Sequence, residues 1–128
     1  MPVSRTLILS GLLGALCGAP LMAEPPQRVV SMNLCTDQMA MLIAAEGQLH
    51  SVSYLAIDPN TSVLAAQAGH YAVNHGLAEE VFLMRPDLVL AGTYSTRATV
   101  ALLRRLGIAV EEFEPENSGL GDDASTAF

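Results

Sequence analysis

The sequence predicts an α/β fold, a three-layer sandwich built around a parallel sheet. Three observations carry that expectation. Short apolar runs alternate with longer amphipathic stretches. One run, Leu88-Val89-Leu90-Ala91, has no polar alternation, the pattern of a strand covered on both faces. Glycine and proline stand at the joints: Gly47, Pro59, Pro86 and Gly107. The resulting order is strand, helix, strand, helix, strand, helix, strand, which right-handed crossovers join into one sheet.

The front of the chain precedes that pattern. Arg5 is followed by an apolar run from Leu7 to Leu16, then by Pro20-Leu21-Met22-Ala23. This is the layout of a secretory signal peptide, with an apolar run too short to cross a bilayer and cleavage best placed after Ala23. A lipid-anchored reading would use Cys17, but the bulky Leu16 stands directly before it. Residues 1–23 are therefore read as a leader, 24–118 as one modest domain and 119–128 as a separate tail.

Arg28 to Met32 is β-branched and reads as the first strand. Asn33 can cap the helix that follows, expected over Thr36 to Glu46 with Met39, Leu42, Ile43 and Glu46 at helical spacing and Gly47 past its end. His50 to Leu55 is the second strand, Asp58 to Ser62 a turn and Val63 to Ala72 a weak, alanine-rich helix. In Leu77 to Met84, residues Leu77, Val81 and Met84 share one face while Glu79 and Glu80 point outward. Pro86 stops that helix, and Leu88 to Ala91 follows as the expected centre of the sheet. Thr93 to Thr96 is a loop, Ala98 to Leu106 a helix ended by Gly107, and Ile108-Ala109-Val110 a fourth strand that runs out in acids.

Composition excludes several functions. Without the leader, thirteen acids face five arginines and there is no lysine, for a net charge of −8. Nucleic acid and anionic membrane surfaces demand clustered Lys and Arg, so neither is an expected partner. Only Cys35 survives processing, which rules out an intramolecular disulfide, and Cys35 reads as a small buried hydrophobe at a strand–helix junction. No GxGxxG or Walker sequence supports a nucleotide site, and no GxSxG elbow supports a hydrolase. The chain is read as non-enzymatic, with no catalytic residue, cofactor or metal site. His50, His70 and His75 form no HxH or HxxxH pair.

In parallel sheets, ligands bind outside the carboxyl ends of the strands. Those ends carry Asn33-Leu34-Cys35, Tyr54-Leu55, Thr93-Tyr94-Ser95 and Glu114. Asn33, Tyr54, Thr93 and Tyr94 are the candidate ligand-binding residues. Aromatic rings and small polar groups with little charge suit an aromatic or macrocyclic ligand better than a phosphate.

Arg28-Val29-Val30-Ser31, Asn33 to Asp37, Asn74 to Glu79 and Arg85 to Ala91 together resemble the N-terminal lobe of iron-siderophore and cobalamin periplasmic binding proteins, the substrate-binding components of ABC importers. The resemblance covers roughly Arg28 to Ser118, with the Pro-Asp-Leu-Val element after an acidic helix its most distinctive part. It implies a Rossmann-like single lobe of the class III type, a periplasmic location, and a large chelate or corrinoid as ligand. It also implies delivery to an inner-membrane ABC permease, with Glu79 as the docking carboxylate and Glu80 as its neighbour. Two lobes joined by a long helix are implied as well, and the sequence after Ser118 has no counterpart to the helix or the second lobe. The polar, glycine-bearing tail over 119–128 reads as disordered. Two alternatives stand beside this reading: a zinc or manganese binding protein of the same transport class, and a secreted α/β hydrolase-like fragment.

Overall fold

The computed structural model describes residues 23–95 and 97–114. The expected leader, apart from Ala23, and the expected tail lie outside the described residues. Within them the chain runs β1 (Val29–Ser31), α1 (Leu34–Ile43), β2 (Leu49–Ser53), α2 (Ala65–Ala68), β3 (Ala72–Asn74), α3 (Ala78–Leu83), β4 (Leu88–Gly92), α4 (Arg97–Arg105) and β5 (Val110–Phe113). The strands form one all-parallel sheet in the order β3-β2-β1-β4-β5. The centre is β1, flanked by β2 and β4, and not the Leu88–Ala91 strand that the sequence favoured.

Both faces of the sheet are covered, as the unbroken apolar run in β4 predicted. On one face Ala40 and Met41 of α1 and Ala68 of α2 pack with Val29, Leu49 and Val52. On the other, Ala78 and Val81 of α3 and Val100 and Leu103 of α4 pack with Val30, Val89, Ala91 and Val110. Strand β4 shows the alternation directly: Val89 and Ala91 join the second cluster, whereas Leu88 and Leu90 pack against the first. The expected three-layer sandwich is what forms.

Local structure differs from the sequence reading in four places. There are five strands among the described residues, not four, because β3 is absent from the sequence reading. The stretch expected as a weak helix over Val63 to Ala72 contains a single helical turn and then enters β3. Helix α1 starts earlier and stops earlier than expected, since the Asn33 side chain accepts the Cys35 N–H at 2.9 Å and Ala44 turns extended. Its buried residues are Thr36, Asp37, Ala40 and Met41, so Met39, Leu42 and Ile43 face outward. Towards the carboxyl side of the described residues, β5 continues through Glu111 and Glu112 as a sheet edge, with Glu111 exposed and Glu112 accepting from Arg104 Nη1 of α4 at 2.9 Å.

The Pro-Asp element has a structural role at the amino edge of the sheet. The Asp87 carboxylate accepts the N–H groups of Gln27 at 2.6 Å and Arg28 at 2.9 Å, tying the start of β1 to the start of β4. The Gln27 amide is the main reason its carboxyl is held below the usual carboxylate range. Arg28 completes the clasp by donating Nε–H to the Met84 carbonyl at 2.6 Å and reaching the His50 Nε2 at 3.0 Å. Arg85, in the left-handed region at φ 52, makes the turn between α3 and this clasp.

Candidate functional site

All five strands are parallel, so every strand delivers its carboxyl end to one edge. In sheet order, that edge carries His75 after β3, Tyr54 after β2, Asn33 after β1, Thr93 and Tyr94 after β4, and Glu114 after β5. From β1 the chain passes to β2 on one side, while β4 lies on the other. The β1–β4 boundary is therefore the topological switch point, the place where open parallel sheets leave a crevice.

A cavity of about 350 Å³ occupies that position. Asn33 and Tyr94 line it, joined by Cys35 and Met39 from α1 and by Phe113 and Glu114 from the end of β5. Two of the four candidate ligand residues thus meet in one cavity. Tyr94 is 88% exposed at the tip of a loop closed on itself: Gly92 N–H donates to the Ser95 hydroxyl at 3.0 Å, and Ser95 N–H donates to the Gly92 carbonyl at 2.8 Å. Cys35 is exposed on the cavity wall and not buried, contrary to expectation. The Asn33 cap sets Cys35 at the second helical position, and the inward positions go to Thr36 and Asp37 instead.

The other two candidates lie elsewhere along the edge. Thr93 donates its N–H to the Phe113 carbonyl at 3.2 Å and lines a separate, more open groove with Arg97, Arg104 and Glu112. Tyr54 stacks on His75 with ring centroids 5.5 Å apart and planes 19° from parallel. Glu79 is exposed in the first turn of α3 and makes no hydrogen bond or ion pair among the described residues. Glu80 is half-buried and engaged: one oxygen accepts the His75 N–H at 2.7 Å and the other lies 3.2 Å from His75 Nδ1.

The cavity wall rests on polar contacts that the sequence did not reveal. Ser31 and Thr36 share a hydroxyl contact at 2.7 Å, and Thr36 donates to the Asn33 carbonyl at 2.9 Å. Behind them Asp37 is fully buried and accepts from Ser53, N–H at 3.1 Å and hydroxyl at 2.5 Å. Burial pushes its carboxyl above the ordinary 3.8, outweighing the hydroxyl and amide donors that pull it down. A raised native value means that the folded state holds the proton longer than the unfolded chain. The stability contribution is therefore full below pH 3.8 and is lost as pH rises through the native value. Asp37→Asn keeps an oxygen for the Ser53 N–H and removes the charge. Its urea midpoint relative to the parent should rise between about pH 4 and pH 7; a constant difference would contradict a raised Asp37.

Gly92 lines the cavity in close approach to Asn33. A Cβ at this position would stand 2.7 Å from the Asn33 amide nitrogen and 3.0 Å from its Cγ. Gly92→Ala should push Asn33 aside and uncap α1, costing about 1 kcal/mol in urea denaturation. Asn33→Ala should cost about the same, and the double substitution little more, because both remove one contact.

No protein-family model and no curated protein matches the sequence. Solved structures do match. The periplasmic vitamin B12 binding protein BtuF of Vibrio cholerae aligns with a TM-score of 0.54 and 26% identity, over 69% of this chain and 34% of that one. The periplasmic haem binding protein HutB of Vibrio cholerae gives a TM-score of 0.51 at 20% identity, over 68% and 33%. A possible iron-binding, periplasmic solute-binding protein from Staphylococcus epidermidis gives 0.54 at 15%, over 71% and 36%. The chain spans about one third of the length of these structures. The resemblance read from the sequence is borne out, and the chain has the fold of one lobe of a class III, iron-siderophore/cobalamin-type periplasmic binding protein.

Proposed function

We propose that this chain is a ligand-binding lobe of a periplasmic substrate-binding protein that captures a large metal chelate or corrinoid for an ABC importer. The observation that carries this reading is the cavity at the β1–β4 switch point, on a fold shared with a vitamin B12 binding protein at 26% identity. Its lining is aromatic, thioether and amide, with Glu114 as the charged group, which suits a broad ligand with apolar faces. The mechanism is capture at the carboxyl edge of the sheet followed by presentation to the permease. Glu79 supports the second step: an exposed carboxylate on a short helix can meet an arginine of a permease in fork geometry. Glu80, held by His75, is its neighbour on the same turn.

Binding is tested by titrating the purified chain with cobalamin, haem and ferric siderophores while following the fluorescence of its three tyrosines. Saturable quenching by one class, weakened by Tyr94→Ala, is the expected result. No binding of any of them sinks the ligand assignment. For docking, Glu79→Arg should leave ligand titrations unchanged and abolish ligand-dependent stimulation of the permease ATPase. Unchanged stimulation would remove Glu79 from the role.

A further inference from the structure

Helix α3 covers the sheet with Ala78 and Val81 and turns a second apolar surface outward. Phe82 is 44% exposed and Leu83 77%, on the side of a surface helix that is ordinarily polar. Together with Pro86 and Ile108 they border a hollow of about 480 Å³. An apolar patch of this kind, rimmed by charge, marks a contact surface.

The charges stand at its two ends. Glu79 lies one turn before Leu83, at i and i+4, so the two share a face of the helix. Its carboxylate has no partner among the described residues. Arg85 lines the hollow from the other end, is exposed, and its guanidinium makes no hydrogen bond or ion pair among the described residues. Arg28 and Arg104, by contrast, are engaged within the chain, on the Met84 carbonyl and on Glu112. The turn that places Arg85 there is uncommon for a bulky residue, since its φ is 52.

Acid, apolar pair and base thus follow one another in a row that changes sign about its middle. Glu79 stands three residues before Phe82, and Arg85 three after it. A two-fold axis through the apolar pair lays α3 antiparallel to its copy and sets each Glu79 against the other chain's Arg85. A parallel arrangement would oppose like charges. We propose that a second copy of this chain covers this face, in an isologous pair centred on Phe82 and Leu83 with a Glu79–Arg85 ion pair at each end. The apolar side chains supply the affinity, and the exposed ion pairs, individually weak, fix the direction. The inference stands apart from the ligand reading. It bears on docking, because a chain engaged with its copy has no free Glu79 to offer a permease.

The test is sedimentation equilibrium of the purified chain in about 0.15 M salt, which screens the repulsion between two acidic molecules. Between about 1 μM and about 1 mM the average mass should rise from one chain toward two. Leu83→Asp should hold it at one chain throughout. Glu79→Arg and Arg85→Glu should each weaken association by about tenfold or more, because like charges then meet twice in every pair. The double variant Glu79→Arg/Arg85→Glu should return to within about threefold of wild type, since the exchange restores both ion pairs. All three positions are exposed, and far-UV circular dichroism checks that each variant is folded. A double variant no tighter than the single ones, or a pair indifferent to Leu83→Asp, overturns the inference. A wild-type chain that stays single at every concentration also overturns it and leaves the proposed function standing. If Leu83→Asp then loses stimulation of the permease ATPase, the permease is the occupant of this face instead.

Discussion

Asn74→Asp is expected to lower stability by about 3 kcal/mol or more, a large share of what a domain of this size possesses. The substitution is nearly isosteric and inverts the hydrogen-bonding sense of one buried atom. Where Asn74 Nδ2 donates to oxygens of Ser31, Ser51 and Val52, an aspartate would place a second acceptor with no solvent to relieve the repulsion. These contacts bind β3 to β2 and to central β1, and the Asn74 carbonyl also accepts the Tyr54 N–H at 2.8 Å. The urea midpoint should fall by about 2 M. The deficit should shrink as pH falls, because the introduced carboxyl regains a donor once it is protonated. A midpoint within a few tenths molar of wild type would show that the Asn74 contacts carry little weight.

Leu103→Ala is the second large effect, at about 2–5 kcal/mol. Leu103 is fully buried on α4, in the cluster with Val89, Val100 and Val110, with Ile108 against it. Removing three carbons leaves a void that neighbouring valines are too short to fill. Leu103→Met, similar in volume, should cost less than about 1.5 kcal/mol. The cluster lies on the face of the sheet opposite α1, so chelate titrations of the folded Leu103→Ala fraction should be unchanged. Equal midpoints for the Ala and Met variants would mean that this layer is loosely packed.

The outline of the fold was legible because it depends on local chemistry. Asn33 caps, Gly107 stops, Pro86 breaks, and Val29-Val30 and Leu88 to Ala91 have the composition of covered strands. What was not legible depends on tertiary contacts. Strand β3 has no apolar run, and it exists because a buried Asn74 cross-links it to its neighbours. The inward face of α1 was misread because two polar residues, Thr36 and Asp37, are inside, satisfied by Ser31 and Ser53 from the sheet. The site followed the same division. Strand ends marked the carboxyl edge correctly, yet only Asn33 and Tyr94 share a cavity, since strand order and loop direction send Tyr54 toward His75 and Thr93 toward α4. The His75–Glu80 contact spans five residues around a glycine turn, a spacing that no periodic pattern announces.

The Asp87 clasp also bears on the order in which the chain acquires its structure. The carboxylate reaches back 60 and 59 residues to Gln27 and Arg28, and β1, at the centre of the sheet, lacks its second neighbour until β4 exists. The segment from β1 to β3 can therefore pair on one side only, with Val30 uncovered by the helices that follow. Closing such a distant contact late makes folding slow. For a polypeptide that must cross a membrane before it folds, as the proposed periplasmic role requires, that delay keeps the chain threadable until its middle has passed.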